Sequence, residues 1–224
     1  MDALIFDFDG VVADSESIHF ATFRRVLESR GYKLTPEDYY TRYIGYNDHD
    51  AFLEAIGVQG GSTAEADIAE MTARKTAMVK RAFAESIQPL PGAVELIRSA
   101  VAAGVPVAVC SGALREEIEL ASRKIGVLES FTVIVAAQDV RRGKPHPEGY
   151  ELARGRLSAA TGRKIAAARC VAVEDAPAGI DAARGAGMRV LAVTNSYPAS
   201  ALKAADRVVG SLKDVTTAAL EKLL

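Results

Sequence analysis

Cysteine is scarce in this chain, with two residues, Cys110 and Cys170, among 224. Both lie inside short apolar runs, which argues against a disulfide framework or a thiolate metal site and for buried thiols in a reducing compartment. The three histidines, His19, His49 and His146, lack the spacing of a zinc site. Neither sign of charge dominates: 27 Lys and Arg stand against 29 Asp and Glu, for a net charge of -2. With no basic block and no interleaving of aromatic and basic residues, nucleic acid is not an expected partner. No stretch approaches the ~18 uninterrupted apolar residues of a membrane span, because Gly, Pro or charge breaks each one. The opening MDALIFDFDG has no basic segment ahead of its apolar residues and turns acidic after four of them, unlike a signal peptide. The expected location is cytoplasmic.

What is present is enough apolar mass for a proper core, with 49% hydrophobic and 25% charged residues. The strongest pattern is a recurring unit of helical stretch, glycine and short β-branched run. It reads Pro91–Ala103, Gly104, Val105–Cys110, then Leu114–Ile125, Gly126, Phe131–Ala136, then Pro177–Ala186, Gly187, Arg189–Val193. Each glycine suits the C′ position of a helix, where φ is positive. Further strands are expected at Ala3–Phe6 and Cys170–Val173, with a short edge at Arg207–Val209. Their apolar residues do not alternate with polar ones, as in parallel strands covered on both faces. The expected fold class is α/β, a Rossmann-like doubly wound parallel sheet. Between Ser15 and Ile87 the pattern is helical only, over Ser17–Arg30 (closed by Gly31), Pro36–Tyr43, Asp48–Ile56 (closed by Gly57) and Ala64–Ala84. The expected organisation is therefore a core of residues 1–15 and 88–224 with an inserted four-helix cap at 16–87.

In doubly wound sheets ligands bind beyond the C-terminal ends of the strands. The polar residues there are Asp7-Phe8-Asp9-Gly10, Ser111-Gly112 and Glu174-Asp175, with Arg142-Gly143-Lys144-Pro145 shortly after the third strand. Carboxylates converging in low dielectric repel one another, and a divalent cation is the natural neutraliser. Hard oxygen ligands with water and phosphate describe a Mg²⁺ site, and a lysine and a hydroxyl beside it suit a phosphoryl group. Taken singly, these residues have plainer readings: Asp in a turn, Ser111 as a helix N-cap, Lys144 at the surface.

Together, Asp7-Phe8-Asp9-Gly10-Val11-Val12, Ser111, Lys144-Pro145 and Glu174-Asp175 resemble, in order, the four motifs of the haloacid dehalogenase superfamily. The helical insert is similar to the cap of the subgroup holding β-phosphoglucomutases and small-substrate phosphatases. The resemblance implies that Asp7 is a nucleophile forming an aspartyl-phosphate and Asp9 a general acid and base. It implies a Mg²⁺ site of Asp7, the Asp9 carbonyl and Asp175, with Glu174 close by. Ser111 and the Gly112 N–H would hold phosphoryl oxygens, and Lys144 would offset the charge of Asp7 and phosphate. Dehalogenases of this fold lack an acid at the position of Asp9, which argues against dehalogenation. In the cap, His19 and Lys75 match positions where β-phosphoglucomutases carry a histidine and a lysine. Asn47 and Arg115 are further candidate substrate contacts.

The expected activity is Mg²⁺-dependent hydrolysis of a small phosphorylated metabolite, such as a sugar phosphate, by a monomer without nucleic-acid or membrane partners. Two alternatives stand beside it. A phosphosugar mutase of the β-phosphoglucomutase type would need an arginine in the first cap loop for a distal phosphate, but the loop reads Gly45-Tyr46-Asn47-Asp48-His49-Asp50. Ala113-Leu114-Arg115 also departs from the mutases' run after the second motif. The other is a module that only binds phosphate or Mg²⁺, or a receiver-like switch; receivers have neither an acid two residues after the nucleophile nor a helical cap, which tells against a switch.

Overall fold

The computed structural model describes residues 1–43, 46 and 48–224. Two compact units emerge, Met1–Asp14 with Ile87–Leu224, and Ser15–Ser86. The first holds a parallel sheet built from β1 (Ala3–Phe6), β2 (Val107–Cys110), β3 (Val133–Val135), β4 (Cys170–Glu174), β5 (Arg189–Val193) and β6 (Arg207–Val209), in the order β3-β2-β1-β4-β5-β6. This is the doubly wound Rossmann-type order. From β1 the chain winds outward through β2 and β3, then returns to place β4 on the other side of β1. The switch point therefore falls between β1 and β4, where such sheets carry their ligands.

The strand runs are apolar at successive positions because both faces are covered. One face packs Ala3, Ile5, Ala108 and Ala172 against Tyr150, Ala153 and Leu157 of α7 (Glu148–Thr161) and Ile180 of α8 (Pro177–Gly185). The alternate residues Leu4, Phe6, Val109 and Val173 are equally buried. At ~1.5–3 kcal/mol for each large apolar side chain, that double burial is what holds the strands in one register. Between the strands run α5 (Ala93–Ala102) and α6 (Arg115–Ile125), and α9 (Thr217–Glu221) follows β6. Gly104, Gly126 and Gly187 have φ of +70°, +80° and +77°, the left-handed turns expected of them. The helix α7 was not foreseen in the sequence. Its apolar residues are interrupted by Gly149 and Gly155 and by charged neighbours, so its inward stripe is thin.

The second unit is helical, with α1 (Glu16–Glu28), α2 (Pro36–Asp38), α3 (Asp48–Gly57) and α4 (Glu65–Ser86). Its core gathers Phe23, Val26, Leu27, Tyr39, Phe52, Ile56, Ile68 and Met71. The helix expected over Pro36–Tyr43 becomes one α-turn followed by a π-turn at Tyr39–Tyr43. That wider turn sets both Tyr39 and Tyr43 against Phe23, at ring separations of 6.0 and 5.9 Å. Gly57 lies within the last turn of α3, and Gly60, with φ +70°, reverses the chain in its place. Among the described residues no helix is long and apolar enough to cross a membrane.

The chain leaves and re-enters the first unit side by side. Asp14 N–H donates to the Gln88 carbonyl at 3.0 Å and Leu90 N–H to that of Val12 at 2.9 Å. Those bonds tie the segment carrying Asp7 and Asp9 to the return strand.

Candidate active site

Register brings the acids together. Phe6 pairs with Val173 across β1 and β4, and the Asp7 N–H donates to the Val173 carbonyl at 2.9 Å. The next residues on the two strands, Asp7 and Glu174, are thus neighbours, and Asp175 follows. One carboxylate oxygen from each of Asp7, Glu174 and Asp175 lies within 4.8 Å of the others. At that spacing and an effective dielectric constant of about 20, two carboxylates repel by roughly 3 kcal/mol.

Two donors orient Asp7. Its Oδ1 accepts from the Phe8 N–H at 2.7 Å and pairs with Lys144 Nζ at 3.0 Å. Lys144 Nζ also donates to Glu174 Oε1 at 2.6 Å and lies 5.5 Å from the centre of the Tyr150 ring. Its peptide bond to Pro145 is cis. Burial works against the Lys144 charge, but Asp7 and Glu174 outweigh it and raise the lysine's pKa. The ammonium therefore stays charged at any physiological pH.

The acids at the end of β4 behave differently. Burial, only partly offset by Lys144, pushes Glu174 up to about 7. Burial and the nearby Asp7 push Asp175 up to about 8, against the hydrogen bond from Ser196. Glu174 is fully buried, and its Oε2 has no hydrogen-bond partner among the described residues. Three acids, one lysine and an orphaned carboxylate oxygen make a site short of positive charge. A hard divalent cation fits that deficit, with Asp7, Asp175 and Glu174 as the side chains that would hold it.

Asp9 stands on the turn beyond β1, bridged to Ala13, and its Oδ2 accepts from Ser111 Oγ at 3.3 Å. Ser111 is itself set by its N–H to the Val135 carbonyl at 3.0 Å, and its Oγ accepts from Ala113 N–H at 3.0 Å. Gly112 is exposed, and a Cβ there would meet nothing within 4 Å. The C-terminal ends of β1, β2, β3 and β4 thus carry two sets of contacts, Asp7 with Lys144, Glu174 and Asp175, and Asp9 with Ser111.

Arg115, expected as a substrate contact, makes its described contacts within the first unit. Its guanidinium donates to the Ile134 carbonyl at 2.9 Å and to Asp139 at 2.5 Å, while Asp139 also takes Arg156 at 2.9 Å. Burial opposes the Asp139 charge, but the Ala136 N–H and the two arginines outweigh it and hold its pKa below the ordinary value. Arg115 thereby braces the end of β3 against α6 and α7. His146 accepts the Glu148 N–H on Nδ1 at 3.2 Å, at the start of α7.

In the helical unit, Lys75 is buried and ion-paired with Asp48, and its Nζ lies 3.1 Å from His19 Nδ1. Burial and the Lys75 charge together drive the His19 pKa well below the ordinary histidine value. Its ring meets Phe83 edge-on at 5.8 Å. Asn47 lies outside the described residues. His49 is half-buried between Asp50 and Glu65, and hydrogen bonds to them raise its pKa.

Several residues of the site carried no signal in the sequence. Tyr150, fully buried on α7, donates its hydroxyl to Glu174 Oε1; its spacing with Ala153 and Leu157 reads only as core. Asn195 Nδ2 donates to the Gly10 carbonyl at 2.7 Å, and Ser196 Oγ donates to Asp175 Oδ2. Both belong to a polar loop after β5. Gly179, in the first turn of α8, leaves room for Glu174: a Cβ there would lie 2.0 Å from Oε2.

Comparison with known proteins identifies the family. The family model described as haloacid dehalogenase-like hydrolase matches residues 4–193. Hexitol phosphatase A of Escherichia coli is 33% identical over 213 residues, covering 95% of this chain and 92% of that protein. Beta-phosphoglucomutase of Bacillus subtilis is 28% identical over 223 residues, covering 96% and 92%. The crystal structure of CbbY from Rhodobacter sphaeroides in complex with phosphate superposes with a TM-score of 0.88 at 28% identity, covering 99% of each chain. With a family match over most of its length and a curated relative of that identity spanning nearly all of it, the chain belongs to the haloacid dehalogenase-like hydrolases.

Proposed function

We propose that this protein is a Mg²⁺-dependent phosphatase that hydrolyses a small phosphorylated metabolite, a sugar phosphate or related polyol phosphate, through an aspartyl-phosphate on Asp7. The observation that carries the reading is the pairing of Lys144 with both Asp7, at 3.0 Å, and Glu174, at 2.6 Å, beside a third carboxylate. A lysine at Asp7 suits an anionic electrophile, since the ammonium offsets the repulsion between the nucleophile and phosphate. The names of the phosphatase and mutase relatives support phosphorylated sugars as the substrate class.

Asp7 attacks phosphorus with a carboxylate oxygen, and the leaving alkoxide takes a proton from Asp9. In the second half, Asp9 takes a proton from water, which attacks the aspartyl-phosphate, returning Asp7 and releasing phosphate. Atoms balance: one water enters, and an alcohol and phosphate leave. Ser111 Oγ, which donates to Asp9 at 3.3 Å, would turn its hydrogen to a phosphoryl oxygen when substrate binds, with the Gly112 N–H as the adjoining donor. Asp7, Asp175 and the Asp9 carbonyl, with Glu174 behind them, would hold Mg²⁺, which when bound supplies the positive charge that the three acids and a phosphoryl group require. His19 and Lys75 are proposed to read the substrate's hydroxyl groups from the helical unit. The division at Asp14/Ser15 and Ser86/Ile87 is proposed as core and cap.

The test is phosphate release from a panel of phosphorylated metabolites, including β-glucose 1-phosphate, with Mg²⁺ or with EDTA. Mg²⁺-dependent release from some members is the expected result. Isomerisation of β-glucose 1-phosphate primed by a bisphosphate, without net release from any member, would establish the mutase reaction instead.

A further inference from the structure

We propose that Ser196 is a positioning residue for the divalent cation, holding Asp175 so that one chosen oxygen faces the metal. The inference rests on the reading of Asp7, Glu174 and Asp175 as the cation site, and adds a residue from a strand end outside the four motifs. Ser196 follows β5, where the Thr194 N–H is bonded to the Val209 carbonyl at 3.0 Å, so the loop's root is fixed by β6. From there two consecutive side chains reach out, Asn195 to the loop after β1 and Ser196 to the end of β4. Asn195 Nδ2 takes the Gly10 carbonyl at 2.7 Å, and Ser196 Oγ donates to Asp175 Oδ2.

Gly10 shows how closely these groups pack. A Cβ at that position would lie 1.9 Å from Asp175 Oδ2 and 2.7 Å from Ser196 Oγ, and Gly10 itself sits at φ +71°. Asp175 Oδ2 thus lies against the Gly10 backbone and accepts the serine hydroxyl beside it. Oδ1 is the oxygen that would then face the cation. A carboxylate ligand whose second oxygen accepts a fixed donor cannot rotate away when the metal leaves, so the orientation needed for rebinding is already in place. Without the hydroxyl, Oδ2 has lost its donor. The carboxylate then gains freedom to turn, and a cation must restore its orientation on binding.

The experiment is calorimetric titration of Mg²⁺ into the full chain, free of substrate, for wild type, Ser196→Ala and Ser196→Cys. The cysteine variant nearly preserves side-chain size while exchanging a strong donor for a weak one. Loss of a ligand's outer partner lowers metal affinity roughly 10- to 100-fold, and a weakening of that size is expected in Ser196→Ala, with a smaller one in Ser196→Cys. A cooperative melt in EDTA establishes that each variant is folded before its affinity is compared. Wild-type Mg²⁺ affinity in either folded variant overturns the assignment of Ser196. A wild-type protein that takes up no Mg²⁺ overturns the cation site itself and the Ser196 assignment with it.

Discussion

Raising the pH of the metal-free protein from 7 to 8.5 should destabilise it, and Mg²⁺ should reverse the loss. In the unfolded chain Glu174 and Asp175 have ordinary values of 4.5 and 3.8, whereas burial in the fold raises them to about 7 and about 8. At pH 7 and above, the unfolded chain has already released both protons and only the folded state still holds them. Stability conferred by those protons is fully present below the unfolded values and is lost as pH rises through the folded ones. With 1.36 kcal/mol per pH unit for each proton held, the two groups together remove about 2 kcal/mol between pH 7 and pH 8.5. For a chain of this length that corresponds to a fall of roughly 4–8 °C in melting temperature. Lys144, whose pKa is raised, keeps its charge throughout the interval. Melts followed by circular dichroism in EDTA at pH 7.0, 7.5, 8.0 and 8.5 measure the loss. A cation requires deprotonated ligands, so the stabilisation from saturating Mg²⁺ should grow over the same interval. A melting temperature that is flat or rising in EDTA, or a Mg²⁺ increment that is equal at both ends, would refute the reasoning.

Asp7→Asn should reduce turnover at least ~10⁴-fold while leaving the circular dichroism spectrum unchanged, because an amide is no nucleophile toward phosphorus. Asp9→Asn should slow turnover by about 10²- to 10⁴-fold with Mg²⁺ affinity preserved, since only the backbone carbonyl of Asp9 is assigned to the metal; calorimetry beside kinetics separates the two effects. Gly179→Ala would place a Cβ 2.0 Å from Glu174 Oε2 and should cost about 1–3 kcal/mol in denaturant melts. Gly155→Ala on α7, where a Cβ meets nothing within 4 Å, should be neutral or gain up to about 1 kcal/mol in the same melts.

The recurring helix, glycine and apolar run was enough to establish an α/β sheet, because each signal is local. A left-handed residue ends a helix, and a strand covered on both faces needs apolar residues at consecutive positions. Ala3–Phe6, Arg189–Val193 and Arg207–Val209 appear with the bounds their residues suggested. The helix α7 escaped notice because its stripe of Tyr150, Ala153 and Leu157 is thin, and only packing on the sheet makes it stable. Polar residues at the strand ends were legible for a similar reason: Asp7 and Glu174-Asp175 interrupt apolar runs abruptly.

Distance was not legible. That Asp7, Glu174 and Asp175 lie within 4.8 Å of one another follows from the Phe6–Val173 register, which one residue of slip would destroy. The partners of Arg115 were no more legible: its position after the second motif suggested substrate, and its guanidinium also meets the Ile134 carbonyl and Asp139. Tyr150, Asn195 and Ser196 reach the site across the fold, Asn195 bonding a carbonyl 185 residues away. Local periodicity is written into windows of about ten residues, and the sequence carries it in full. Contacts between such distant positions depend on how the strands pair and how tightly their ends pack, which only the assembled sheet decides.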